Sequence, residues 1–144
     1  MYYEEARAYL KRYKQKKQKI ANLEAQIKRA EEDARKSGIR LDGLPRSGKI
    51  SHPTEEAALK LAQIRERLNR KIDRYEAECL EIEETVSMIP DARSEKLLSL
   101  KYLDGKKWDE VAEELYYSEA YVRRELHNRA LELLEITMKR REII

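Results

Sequence analysis

The stretch WDEVAEELYYSEAYVRREL, residues 108–126, decides how this chain is read. Val111, Ala112 and Leu115 fall on one face of a short helix, Trp108 to Leu115. Ala112 is small where two helices must cross closely. Tyr116-Tyr117 break the pattern, and Ser118 offers an oxygen to the free N–H groups of a new helix. Val122 and Leu126 lie about one turn apart and return to the same core. Two helices clamped across a tight break follow the logic of a helix-turn-helix, whose second helix presents its N-terminal turns to a major groove.

The pattern extends outward on both sides. Pro90 ends the preceding helix, and Asp91 stands where the next one needs an N-cap. Residues 92–103 form a short helix with Leu97, Leu98, Leu100 and Leu103 apolar, the third wall of a small core. Asp104-Gly105 is a turn. The last helix, from Ser118 to about 141, carries Val122, Leu126, Ala130, Leu133 or Leu134, and Met138 on its apolar stripe.

Upstream the periodicity is longer. Residues 2–36 contain no Gly or Pro, and Ala6, Tyr9, Tyr13, Ile20, Leu23, Ile27, Ala30 and Ala34 recur at helical spacing, with Lys16 in one stripe position. A second helix, from about 54 to 88, shows Ala57, Leu61, Ile64, Leu68, Ile72, Tyr75, Cys79, Ile82, Val86 and Ile89. Between them the loop 37–53 holds three of the four glycines and two of the three prolines. Equal helices joined by one loop predict an antiparallel hairpin in which facing residue numbers sum to about 90. The run Lys11 to Lys19 would then lie beside Asp73, Glu76, Glu78 and Glu81. Spacing alone leaves open whether the two helices pair within one chain or between chains.

The expected fold class is therefore all-α: a long antiparallel helical hairpin (1–89) followed by a three-helix helix-turn-helix domain (90–144). Composition agrees, since 41% of the 144 residues are charged and no Val/Ile/Leu run suits a parallel sheet. No run approaches the length of a membrane span, and MYYEEARAYLKRYK lacks a signal-peptide core. The expected setting is cytoplasmic. Net charge is +3, spread as +7 over residues 1–50, −3 over 51–90 and −1 over 91–144, so electrostatic reasoning must rest on local faces.

LLSLKYLDGKKWDEVAEELYYSEAYVRRELHNRALELL, residues 97–134, resembles region 4 of sigma-70-type factors. The shared frame is a Leu-rich helix, Tyr-Leu-Asp-Gly, Val-Ala-x-x-Leu, Ser-x-x-x-Val and a final Ala-Leu. With GLPRSGKISHPTEEAALKL and the helical front end, the chain further resembles phage late-gene transcription regulators of the ArpU/RinA type. That resemblance implies a sequence-specific DNA-binding regulator of phage or prophage genes. It does not imply a complete sigma factor, since nothing here resembles the promoter-melting region. Tyr116 departs from the family's turn, which usually carries a small residue, and Arg129 falls on the apolar side of the last helix.

The expected DNA contacts follow from the wheel. With Val122 and Leu126 inward, Ala120, Tyr121, Arg124, His127 and Asn128 face outward, flanked by Glu119 and Arg123, with Ser118 at the helix start. Arg can bond guanine twice, Asn can pair with adenine, and Glu119 can accept from cytosine. Lys106 and Lys107 stand where backbone phosphates pass. Asp109, Glu110, Glu113 and Glu114 must then point away, toward a partner such as bacterial RNA polymerase. A palindromic site would favour a homodimer. The competing readings are a phage DNA-packaging subunit that recognises DNA, and a helical adaptor without a DNA role.

Other motifs carry less. Gly43 to Ile50, GLPRSGKI, nearly matches a phosphate-binding loop, but Ile50 replaces the magnesium-binding hydroxyl and no strand precedes it. His52, His127 and the single Cys79 make no metal set, and no catalytic arrangement or cofactor is expected.

Overall fold

The computed structural model describes residues 3–36 and 52–144, with side chains from 55 onward in the second stretch. Among the described residues there is no strand, and the chain is all-α. The helices are α1 (Glu4–Lys36), α2 (His52–Ser87), α3 (Ala92–Leu98), α4 (Trp108–Leu115), α5 (Glu119–Tyr121) and α6 (His127–Arg140). A π-helical turn, Ser99–Leu103, extends α3, and a second, Val122–Leu126, joins α5 to α6. No described helix is long and apolar enough to cross a membrane. The phosphate-loop-like segment 43–50 and most of the expected loop 37–53 lie outside the described residues.

Contacts divide the chain into two compact units. One comprises residues up to Lys17 together with Ala77–Ile144; the other is Gln18–Glu76. The expected cut at 89/90 thus falls inside the first unit. The root of the hairpin is part of it because α1 buries a wide face there: Ala6, Tyr9, Leu10 and Tyr13. Leu10, outside the stripe read from sequence, is fully buried.

In the first unit α1 and α2 run antiparallel. Tyr9 Oη lies 2.8 Å from Thr85 Oγ1, Tyr13 Oη donates to Glu83 Oε1 at 3.0 Å, and Lys16 Nζ pairs with Glu78 at 3.4 Å. Burial, then the Glu83 carboxylate, pushes the Tyr13 hydroxyl up to about 12. In the second unit Arg65 donates to Glu31 at 3.0 Å, and Ala34 packs on Leu61 with Ala30, Ala57 and Ala58 beside them. Facing numbers in these pairs sum to about 94 rather than 90, one turn of slip in the register. A slip of one turn keeps the same stripes face to face, so the buried seam is nearly the expected one. Leu61, Leu68, Ile72, Cys79, Ile82, Val86 and Ile89 are buried, while Ile64 and Tyr75 are half-buried.

The C-terminal helices of the first unit enclose Leu97, Leu98, Val111, Val122, Ala130, Leu131 and Leu134, each fully buried. Asp91 takes an extended N-cap conformation, but its carboxylate accepts from Ser94 Oγ (2.6 Å) instead of a backbone N–H. That hydroxyl holds the Asp91 carboxyl below its usual range. Gly105 follows the first π-helical turn at φ +73°, where a side chain would be strained. The Lys106 N–H closes this turn on the Leu100 carbonyl at 3.0 Å.

Candidate nucleic-acid interface

The break between α4 and α5 is built from backbone geometry. Tyr116 ends α4 in the left-handed region, φ 62° and ψ 38°. The Tyr117 N–H reaches back to the Ala112 carbonyl at 3.2 Å, which stops the helix by satisfying a terminal carbonyl. Nothing in the fold compensates the tyrosine at this position: its side chain is 91% exposed. Ser118 then begins α5, and its Oγ accepts from the Tyr121 N–H at 3.3 Å. Val111, Ala112, Leu115, Val122 and Leu126 are all buried behind the turn.

Ahead of that core, Ser118, Glu119, Ala120, Tyr121, Arg123, Arg124 and Asn128 are exposed. Glu119, Ala120, Arg123 and Arg124 line one open depression. Arg123 is tethered: its guanidinium lies 3.7 Å from Glu119 and its Cζ 6.0 Å from the centre of the Trp108 ring. Arg124 has no ion pair among the described residues, so its guanidinium fork is available to a ligand. The Tyr121 ring lies 5.2 Å from that of Tyr117, whose hydroxyl accepts from Arg93 at 2.8 Å.

The two lysines expected at the phosphates take part in contacts within the fold. Lys106 Nζ pairs with Glu114, which raises the lysine's affinity for its proton. The Lys107 N–H donates to Glu110 Oε1 at 3.1 Å, capping α4. Asp109, Glu110 and Glu113 are exposed along α4.

His127 does not belong to this surface. It is only 5% exposed, with Nε2 2.7 Å from the Tyr102 hydroxyl and its ring edge-on to Trp108 at 4.8 Å. Burial first, then the nearby Arg7 and Lys101 cations, lowers its pKa to about 4, so the imidazole is neutral at pH 7. The cause of the misplacement is the π-helical turn. On a regular wheel residue 127 sits about 140° from Val122. The His127 N–H instead bonds back to the Val122 carbonyl, five residues earlier, and the wider turn brings His127 round to the buried side. The same shift carries Arg129 outward, where it pairs with Glu132 at 3.5 Å.

Wheel reasoning also missed the support beneath Arg123. Lys101 Nζ lies 4.9 Å from the Trp108 ring centre, so Trp108 is flanked by two cations and braced by His127. A lone tryptophan at the start of α4 with cations before and after it was the available signal.

Comparison with protein-family models, with curated proteins and with solved structures finds no match to this chain.

Proposed function

We propose that this protein is a sequence-specific DNA-binding transcription regulator that reads duplex DNA with the start of the α5–α6 segment. The observation that carries the reading is the pairing of a Ser118-capped helix start with an exposed Ala120, Tyr121, Arg124 and Asn128, all backed by buried Val122 and Leu126. A short helix, a tight turn and a projecting second helix suit insertion into a major groove. Arg124 and Asn128 have the side chains that distinguish guanine and adenine there. Ala120 is small enough to let the helix approach a base edge, and Arg123, held by Glu119 and Trp108, suits a phosphate contact. The acidic edge Asp109, Glu110 and Glu113 suits a basic partner surface such as one on RNA polymerase. The segment is assigned to binding, with no catalytic step.

Selection of binding sites from a random duplex library with the full chain tests this. An enriched motif that Arg124→Ala no longer retains supports the reading. A library that stays random after repeated rounds at low salt, where phosphate contacts are strongest, sinks it.

A further inference from the structure

Arg67, Arg70, Lys71 and Arg74 stand at positions i, i+3, i+4 and i+7 of α2, all exposed and on one side of the helix. They line an open depression together with Asp73. This arrangement places like charges at helical-neighbour spacing four times over: 67 with 70, 67 with 71, 70 with 74, and 71 with 74. Each such pair disfavours the isolated helix by a small amount. The chain carries nearly as many acids as bases, 28 Asp and Glu against 31 Lys and Arg. Even so, only Arg70 is paired among the described residues, with Glu66 at 3.6 Å, and both partners there are about 70% exposed. An ion pair that open contributes little.

From this stripe we infer a second, sequence-blind nucleic-acid surface on α2, which takes the sugar–phosphate backbone of a duplex. Three of the four cations are arginines, whose planar guanidinium forks match phosphate oxygens with two hydrogen bonds each. The stripe spans about 10 Å of helix, a length over which a duplex offers about six phosphate charges. A lipid surface is the poorer partner. A helix that lies on a bilayer needs large apolar side chains beside its cations. The large apolar residues exposed on α2, among the described residues, are Leu59 and Leu80, neither of them between 60 and 79. The surface is independent of which sequence the α5 segment reads.

The test uses the full chain and a 30-base-pair duplex of random sequence, with affinity measured across a salt series. Wild-type protein binds, and R67A/R70A/K71A/R74A binds about tenfold or more weakly at low salt, its log–log salt slope shallower by about 3. These are exposed helical positions and alanine is a strong helix former, so the variant keeps its fold. R67K/R70K/R74K, which keeps the charge, retains most of the wild-type slope. An unchanged affinity and slope in the alanine variant overturns the inference, as does a wild-type chain that ignores the duplex and instead binds anionic vesicles or an acidic peptide. Arg124→Ala is run beside it. A loss of motif selection there, with random-duplex binding intact, reports on the α5 segment alone, so the two readings fail separately.

Discussion

The hydroxyl of Tyr102 lies 2.7 Å from Nε2 of His127, inside the wall formed by Trp108. That bond joins the π-helical turn before α4 to the first residue of α6. It fixes the orientation of the segment proposed to read DNA, although neither residue touches the surface itself.

His127 makes stability depend on pH with a definite sign. Its folded pKa, about 4, lies below the ordinary value of 6.5. The unfolded chain therefore takes up a proton first as pH falls, and the contribution present above pH 6.5 is lost between 6.5 and 4. By pH 5 the loss is about 2 kcal/mol. Urea unfolding at pH 7 and pH 5 checks this. His127→Gln should show a distinctly smaller drop than wild type, and an equal drop would mean that other groups carry the dependence.

Tyr116→Gly should stabilise the fold. A non-glycine residue in the left-handed region costs about 1–2 kcal/mol, and glycine's greater freedom in the unfolded chain offsets part of that gain. The expected net is about 0.5–1 kcal/mol, read as a higher urea midpoint at unchanged slope. The exposed Tyr116 ring has no packing to lose. A lower midpoint would show that the ring contributes something its exposure does not reveal.

Thr85 should matter more than its size suggests. It is fully buried, its hydroxyl donates to the Glu81 carbonyl at 2.8 Å, and Arg141 Nη1 donates to it at 2.7 Å. With its own proton so engaged, it accepts from Tyr9. Thr85→Val strands the Tyr9 hydroxyl and removes one bond from Arg141, which keeps Glu81 and Glu84, and should cost about 2 kcal/mol, whereas Tyr9→Phe removes one bond for about 1 kcal/mol. Denaturation of the double variant should show a coupling of about 1 kcal/mol or more, and strict additivity would contradict the shared acceptor.

Arg124→Ala and His127→Gln should separate reading from support. The first should weaken binding to a selected duplex by about 10–100-fold, with thermal unfolding unchanged. The second should leave affinity at pH 7 within a few-fold while lowering stability. The reverse pattern in mobility shifts would place the histidine, not the arginine, at the DNA.

Much of this was legible residue by residue. Helical spacing located α1 and α2, the break at Tyr116-Tyr117 and the start at Ser118, because burial of one stripe is a local repeating demand that the chain must write into its order. Exposure of Ala120, Arg124 and Asn128 followed from the same periodicity. The positions that resisted lie where a neighbour changed the local geometry. His127 turned inward because a π-helical turn, favoured by packing against Tyr102 and Trp108, added a residue to one turn of the helix. Leu10 and Thr85 became core because the hairpin root shares a unit with the C-terminal helices. A wheel assumes constant rotation per residue and knows nothing of a second wall. The number and order of helices were therefore written in the chain itself. The phase of the last helix, the one-turn slip of the hairpin and the grouping of its root were decided only when distant side chains met.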